Sequence, residues 1–379
     1  MTKFDVEVST AVSKTVRVQQ LSAAFDVPLS DRQELRWSGD LPLDEREWTV
    51  GMIVGPSGSG KTTILNHVFG SPLRLRWKGE AVVDDFPHEM SIEDVTEVCG
   101  AVGFNTIPAW MRPHKVLSTG EQFRVSLARS LVETPPDKMI VIDEFTSVVD
   151  RQVAKIGADA AQRWARKHEH RLVVATCHYD VEDWLQPDWM YDPASREFTW
   201  RSLQRRPEIA CRIERCPRSE WARFARFHYL TPELHPSARC FECFVGDTPV
   251  SFYAVINRPR AKGPKSRRIV GVSRVVTLPD WQGLGLNSTM SRYIASAFNA
   301  LRVELHTYPA HPVLIHRRDR DPNWEMIQAP GRYGTHSAKS TLWERGSQWV
   351  PGRRPNAVFR YIGPPMEDVD FAKRFIGER

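Results

Sequence analysis

The stretch that most constrains this chain is Gly55-Pro56-Ser57-Gly58-Ser59-Gly60-Lys61-Thr62-Thr63, which satisfies G-x-x-x-x-G-K-[ST] at every fixed position. An apolar run, Trp48 to Val54, precedes it, and Ile64-Leu65-Asn66-His67-Val68-Phe69 follows. The order predicts a buried strand, a glycine loop and the start of a helix. Glycines in such a loop let backbone N–H groups curl around an anion, and the helix N-terminus adds its dipole. Lys61 is then expected to reach the β- and γ-phosphates of a nucleotide, and Thr62 to hold Mg²⁺. Upstream, Trp37 and Phe25 are candidates either to stack on a base or to pack in a core.

Two further apolar runs end in residues with chemistry. Met139-Ile140-Val141-Ile142 leads into Asp143-Glu144, and Leu172-Val173-Val174-Ala175-Thr176 leads into Cys177-His178. Asp143 is placed to hold Mg²⁺ through water, Glu144 to orient or deprotonate an attacking water, and His178 to sense a γ-phosphate. Phosphoryl transfer calls for positioning and electrostatic parts of this kind. Between them, Leu117-Ser118-Thr119-Gly120-Glu121-Gln122 opens an amphipathic helix with Phe123, Leu127 and Leu131 on one face. Ser118 is its expected N-cap. Residues 4–8 alternate as a strand should, and Val12, Val16 and Val18 suggest another. Phe25 to Leu43 reads as turn-rich, and Ser91 to Cys99 as helical.

Taken together, residues 48–180 resemble an ABC-type ATPase. Gly55–Thr63 resembles the Walker A loop, Leu117–Gln122 the signature sequence with Thr119 in place of a glycine, and Ile140–Glu144 Walker B. Residues 145–150 resemble the D-loop, and His178 falls at the switch histidine. Asn105 stands near the family's Q-loop glutamine. The resemblance implies an ATP-dependent homodimer in which Ser118, Gly120 and Glu121 contact ATP bound to the other subunit. Only residues 106–116 separate the Q-loop position from the signature, too few for the helical subdomain of transporter subunits. The chain therefore resembles the soluble branch of the family.

Composition bounds the rest. No apolar stretch approaches the roughly 20 residues of a membrane span. The N-terminus has no apolar signal core, and six cysteines in 379 residues do not make a disulfide scaffold. A cytoplasmic location is expected. Residues 201–379 hold 30 basic and 16 acidic residues, a net of +14, whereas residues 1–200 hold 22 and 30, a net of −8. Such an asymmetry fits a second half that meets a polyanion, DNA or RNA, or one with a solvated Arg-rich surface. The basic stretch from Asn257 to Arg268, with Arg258, Arg260, Lys262, Lys265, Arg267 and Arg268, either clamps phosphates or stands in solvent.

In the second half, Ile209 to Cys216, Val250 to Ile256 and Ile269 to Leu278 read as strands. Trp221, Phe224, Phe227 and Tyr229 suggest a helix with an aromatic face packed in a core. Cys211, Cys216, Cys240 and Cys243 have cysteine-pair spacings, but residues three apart on a strand point to opposite faces, which argues against zinc. Gln282-Gly283-Leu284-Gly285-Leu286-Asn287 follows the last of these strands. A helix capped by Asn287 or Ser288 comes next, with Met290, Ile294, Ala297, Phe298 and Leu301 on one face. Strand, glycine turn and helix again describe an anion cradle. Val303 to Tyr308 reads as the following strand. Tyr308 is a candidate acid, and Glu304, His306 or His311 a candidate base.

This arrangement resembles motif A of the GNAT acyltransferases, with Asn287 where that family has Gly or Ala. The resemblance implies that acetyl-CoA binds through Gln282, Gly283, Leu284, Gly285, Leu286 and Asn287, with backbone groups of Val275 and Val276 meeting the pantetheine arm. The architecture expected is α/β: a P-loop ABC-type ATPase domain over 1–200, followed by a GNAT-like α+β acyltransferase domain over 201–379. The order resembles a known fusion group. Some members of the GNAT-like branch occur in phages, and a related phage acyltransferase modifies adenine in DNA, so the resemblance implies nucleic acid as a candidate acyl acceptor.

Overall fold

The computed structural model describes residues 2–202, 208–228, 233–259, 268–330 and 356–378. Along the first part of the chain run β1 (Thr2–Ala11), α1 (Val16–Phe25), β2 (Arg32–Leu41), β3 (Val50–Val54) and α2 (Lys61–Phe69). They are followed by α3 (Ile92–Ala101), α4 (Ile107–Trp110), α5 (Thr119–Glu133), β4 (Ile140–Ile142) and α6 (Arg151–Lys167). Next come β5 (Leu172–Thr176), α7 (Glu182–Leu185), β6 (Trp189–Asp192), β7 (Glu197–Trp200), β8 (Arg212–Cys216) and α8 (Trp221–Ala225). The remainder holds β9 (Arg239–Val245), β10 (Thr248–Arg258), β11 (Arg268–Thr277), α9 (Leu286–Ala300), β12 (Val303–Thr307) and α10 (Pro312–Asp319). It closes with β13 (Trp324–Gln328), β14 (Val358–Tyr361) and α11 (Val369–Ile376).

Two compact units result: Met1–Arg76 with Ser126–Pro207, and Trp77–Val125 with Glu208–Arg379. The division is discontinuous, unlike two contiguous domains meeting near residue 200. Residues 77–125, which run from beyond the phosphate-loop helix into the first turns of α5, group with the second unit.

In the first unit a five-stranded sheet has the order β4-β5-β3-β6-β7 among the described residues. The first four strands are parallel, and β7 pairs antiparallel with β6. Every residue of β3 and β5 is buried, which is why both read as unbroken apolar runs rather than alternating ones. Gly51 is required in β3, since a Cβ there would stand 2.1 Å from the Trp189 ring. Trp189 is fully buried and meets Trp48 edge-on, with Phe69 and Phe198 stacked against it.

A separate antiparallel pair joins β1 to β2. Two local expectations fail here. The valines at 16 and 18 lie in α1, because the Thr15 side chain caps the Val18 N–H and starts a helix that ends at left-handed Asp26. The supposed turn-rich stretch contains the ten-residue strand β2, whose Gly39 is packed under the Phe4 ring.

In the second unit, a sheet runs β13-β14-β12-β11-β10-β9-β8 among the described residues. All neighbours are antiparallel except β11 and β12, which are parallel and pair only over Arg268–Gly271 against Val303–His306. Beyond Gly271 the ladder between these two strands stops. A register shift in β10 between Ala254 and Val255 adds a local bend. Under the sheet lies α9, with Met290, Ile294, Ala297 and Phe298 fully buried, as the spacing predicted. Trp221 and Phe224 pack on Phe252, so the aromatic stripe is core; Tyr229 lies outside the described residues. The segment from 77 to 125 is tied on by its own contacts. A Cβ at Gly100 of α3 would clash with Val313 of α10, and the Trp110 ring meets His311 edge-on at 5.2 Å.

No helix among the described residues is long and apolar enough to cross a membrane.

Candidate functional site

In the first unit, β3, β5 and β4 are neighbouring parallel strands, so the loops leaving their C-terminal ends share one edge of the sheet. Open parallel sheets bind ligands at this edge. The loop after β3 is Gly55–Gly60, the loop after β5 carries His178, and the loop after β4 carries Asp143 and Glu144. Three of the sequence-derived groups are thus brought to one edge by strand order alone.

The phosphate loop is held from both ends. The Gly55 N–H donates to the Thr176 carbonyl at 3.3 Å, and Lys61 Nζ donates to the Gly55 and Pro56 carbonyls, each at 2.8 Å. Gly60 is the N-cap of α2 with φ +94°, a left-handed conformation that favours glycine, and no side chain covers the helix's first amides. Ser59 Oγ is buried without a hydrogen-bond partner. Trp37 lies over this turn, its indole nitrogen 2.3 Å from where a Gly60 Cβ would be. Phe25, the other aromatic candidate, is exposed at the end of α1. Thr62 is exposed on the first turn of α2, and Asp143 is half-buried at the end of β4. A hydroxyl and a carboxylate at one sheet edge suit a Mg²⁺ ion, which prefers oxygen ligands and retains waters.

The acidic turn is strained and pinned. Glu144 and Thr146 have φ +47° and +69°. The Phe145 N–H donates to the Ala175 carbonyl of β5 at 2.8 Å, and the Glu144 carbonyl accepts from Ser147 Oγ at 2.7 Å. With its backbone held this way, the Glu144 side chain is exposed at the edge. Thr146 Oγ1 lies 3.3 Å from His178 Nδ1, linking the acidic turn to the histidine. The His178 pKa is lowered, first by partial burial and then by the Arg151 cation, with Asp180 opposing. Arg151 also pairs with Asp180 through Nε at 3.0 Å. Thr146 falls within the stretch that resembles the D-loop but was given no role there, and Arg151 and Asp180 were not singled out by sequence; α6, packed against residues 179–181, brings Arg151 to Asp180 beside the histidine.

The residues proposed to contact ATP in trans open α5. Ser118 and Glu121 form a reciprocal cap: the Ser118 N–H and hydroxyl both donate to Glu121 Oε2 at 2.9 Å, and the Glu121 N–H returns to Ser118 Oγ at 3.4 Å. Gln122 Nε2 donates to the His114 and Leu117 carbonyls. The predicted cap is in place, and the Glu121 carboxylate is engaged in it.

The second unit holds a cavity of about 230 Å³ where the β11/β12 ladder stops. Val275, Val276, Gln282, Gly283, Gly285, Leu286 and Asn287 all line it; Leu284 is buried and does not. The helix cap is corrected: α9 starts at Leu286, and its N-cap is Gly285 with φ +81°, not Asn287 or Ser288. The left-handed glycine turns the chain two or three residues earlier than a cap at Asn287 or Ser288 would. A Cβ at Gly285 would meet nothing within 4 Å, so the turn opens onto the cavity. Gln282 is occupied by the protein itself. Its Oε1 accepts from the Asn105 N–H at 3.0 Å, and its Nε2 donates to the Thr277 carbonyl at 3.0 Å. Asn105, Thr106 and Ile107 consequently form part of the cavity wall, a role that sequence proximity to the first-half motifs concealed.

Of the candidate acid and bases, Tyr308 and His311 reach this cavity. Glu304 and His306 instead pair with each other at 3.2 Å and are not among the lining residues. Burial raises the Tyr308 pKa, opposed by Arg258, whose guanidinium lies 4.9 Å over its ring. The His311 imidazole is buried with both nitrogens unpartnered, and its pKa is lowered to about 4 by burial and then by Arg317. Of the basic stretch, Arg268 pairs with Glu378 at 2.7 Å, while Arg260, Lys262, Lys265 and Arg267 lie outside the described residues. The four second-half cysteines are free thiols: Cys216 faces Cys240 across β8 and β9, and burial pushes the Cys240 thiol up to about 11.

No family model matches the chain. It is similar to the spermidine/putrescine import ATP-binding protein PotA of Vibrio cholerae, 27% identical over 179 residues, spanning 37% of this chain and 44% of that protein. It is also similar to the Fe(3+) ions import ATP-binding protein FbpC of Pseudomonas fluorescens, 31% identical over 139 residues, spanning 26% of this chain and 39% of that protein. The chain thus spans less than half the length of these curated relatives. Among solved structures, a dimeric bacterial ABC transporter cassette, MJ0796, aligns over 42% of this chain and 87% of its own, at 18% identity and a TM-score of 0.33. A probable N-acyltransferase from Enterococcus faecalis aligns over 31% of this chain and 33% of its own, at 10% identity and a TM-score of 0.26. The ordered motifs and the curated relatives support an ABC-type ATP-binding domain in an α/β fold.

Proposed function

We propose that the chain binds and hydrolyses MgATP as an ABC-type ATPase, and that its second unit binds an acyl-CoA and transfers the acyl group to an amine. The observation that carries the first part is the shared sheet edge of the phosphate loop, Asp143, Glu144 and His178. Lys61 leaves its two loop carbonyls for the β- and γ-phosphates, while Thr62 and Asp143 hold the Mg²⁺, which supplies charge neutralisation at those phosphates. Glu144 orients the attacking water, and neutral His178 reads the γ-phosphate. Two copies sandwich the nucleotide, with Ser118 and Gly120 of each completing the other's site.

Glu144→Gln keeps the side chain's shape and loses the carboxylate. ATP should bind as before while turnover falls about 100-fold or more, the usual contribution of a positioned acid or base. Light scattering of Glu144→Gln with MgATP should report a dimer. Turnover at the wild-type rate would remove Glu144 from the mechanism, and a monomer at saturating MgATP would remove the sandwich.

The acyl-CoA reading is supported by the cavity at the end of the parallel ladder, whose floor is a strand edge and whose end is a glycine turn at a helix N-terminus. Tyr308, His311 and His228 line it and are groups that can transfer protons. Calorimetry with acetyl-CoA tests it directly. A second unit that binds nucleic acid without catalysing acyl transfer is the rival, favoured by the +14 net charge of residues 201–379. It predicts steeply salt-dependent binding to DNA or RNA and no heat with acetyl-CoA.

A further inference from the structure

Among the described residues, the wall of the second unit's cavity includes three arginines, Arg274, Arg317 and Arg318, and no aspartate or glutamate. Arg274, on β11, donates from Nη1 to the Ser273 carbonyl and from Nη2 to the Glu233 carbonyl, each at 2.8 Å. Arg317 and Arg318 are consecutive residues of α10. Trp324 stacks on Arg318 at 4.0 Å, and Arg318 Nη2 donates to Ser291 Oγ at 3.1 Å. Arg258 adds a further cation behind the wall, 4.9 Å over the ring of Tyr308, which lines the cavity. A guanidinium keeps its charge throughout the working pH range.

The wall also holds His311, which is only 7% exposed. Neither of its ring nitrogens has a hydrogen-bond partner. Burial, and then the Arg317 cation, lower its pKa to about 4, so the imidazole is neutral at neutral pH. Burial raises the pKa of Tyr308, which keeps that hydroxyl protonated.

An alkylamine meets two obstacles in such a cavity. At neutral pH it is an ammonium, with a pKa near that of lysine, about 10.4. The described wall offers that cation three guanidiniums and no carboxylate, an arrangement that selects against it by like-charge repulsion. Its proton must also leave before the nitrogen can attack. An imidazole with a pKa of about 4 holds that proton roughly a million-fold less well than the amine does. An amine that is already neutral meets neither obstacle.

We infer that the acceptor taken by this cavity is an amine uncharged at neutral pH, such as an arylamine, on a molecule without net positive charge, and that Arg317 enforces the choice. Arg317 is exposed on α10 and its charge reaches His311, so its sign can be changed without opening the core. The inference rests on the acyl-CoA reading for the reaction itself. The nitrogen lone pair forms the C–N bond to the acyl carbon, and the C–S bond breaks with its electron pair on sulfur. The proton lost by nitrogen ends on that sulfur, so no further reactant is consumed. Polyamines and lysine side chains are rejected.

The test uses the full chain at neutral pH. Calorimetry with acetyl-CoA decides the acyl-CoA reading, and release of the coenzyme thiol in the presence of an acceptor decides the inference. The acceptors are aniline and 4-aminobenzoate, whose nitrogens are uncharged, and spermidine and Nα-acetyl-lysine amide, which are cations. Both arylamines should show a kcat/KM about tenfold or more above either alkylamine. Arg317→Glu puts a carboxylate on the wall. It should raise kcat/KM for spermidine and lower it for 4-aminobenzoate, each about tenfold. Arg317→Lys keeps the charge and should keep the wild-type order. If Arg317→Glu fails to fold, Arg317→Gln, which removes one charge, should move both values in the same directions by less. Heat with acetyl-CoA together with equal or preferred use of the alkylamines would overturn the inference and leave coenzyme binding in place. So would an order of acceptors unmoved by the Glu and Gln variants, or transfer to none of the acceptors. No heat with acetyl-CoA would overturn the acyl-CoA reading, and the inference with it.

Discussion

The chain builds a glycine turn between a strand and a helix twice, at 55–60 and at 282–285, and completes the two turns from different sources. Each ends in a left-handed glycine that serves as the helix N-cap and leaves the first amides uncovered. In the first, the cation is Lys61, one residue past the cap, and the acids come from the ends of neighbouring parallel strands. In the second, no lysine follows; the cations lining the cavity are Arg274, on β11, and Arg317 and Arg318, some thirty residues on. The first turn is crowded, with Trp37 against Gly60, and the second is open on its outer side. An anion cradle thus needs little beyond local backbone, whereas what chemistry follows depends on which side chains tertiary structure delivers.

Several changes would break or sharpen this contrast. The largest effect is expected from Lys61→Ala, which removes the only cation contributed by the first turn itself. ATP affinity should drop about 100-fold, in line with a lost charge-assisted phosphate contact, while acetyl-CoA binding stays unchanged. Equal loss at both sites would mean that the two turns do not act separately.

Next is pH. The folded His311 pKa of about 4 lies below its ordinary value of 6.5. Below pH 6.5 the unfolded chain therefore binds more protons than the folded one, and stability falls as pH drops towards 4. The linkage amounts to about 3 kcal/mol at full extent. His311→Phe should flatten the denaturation midpoint across that window. An unchanged slope would show that the imidazole titrates normally.

Smaller effects separate the two glycines. Gly60→Ala meets both the left-handed backbone and the Trp37 ring, and should cost about 2 kcal/mol or more. Gly285→Ala meets only the backbone term, about 1–2 kcal/mol, so its melting temperature should fall less. The reverse order would argue against Trp37 packing on the loop. Smallest is Arg151→Ala. Removing that cation, and freeing Asp180, should raise the His178 pKa and move the acid limb of ATP turnover to higher pH. A limb that stays in place would leave Arg151 no part in tuning the histidine.

Much of the first site was legible because its chemistry is encoded next to regular elements. A buried parallel strand announces itself as an apolar run, and whatever follows it falls at the ligand edge, so 55–63, Asp143, Glu144 and His178 could each be placed from neighbours in sequence. The Ser118 cap and the apolar face of α9 were legible for the same reason. The misreadings were local competitions: at Thr15 a side-chain cap overrode β-branched valines, and at 32–41 a strand formed through polar residues because β1 offered a partner along its whole length. At 285 a left-handed glycine pre-empted the side-chain cap expected at Asn287 or Ser288.

By itself, then, the sequence determined the two strand–turn–helix cradles, since glycine spacing and apolar runs act within a few residues through backbone sterics and burial. Only tertiary structure decided what each cradle faces. Gln282 spends its amide on Asn105 and Thr277 rather than on a ligand, residues 105–107 become a wall of the second cavity, and Arg318 reaches Asn287 through Ser291. These contacts join residues between 4 and 177 positions apart. Their partners are chosen by packing of α3, α9 and α10, and packing depends on the summed shape of many side chains, which no short spacing records.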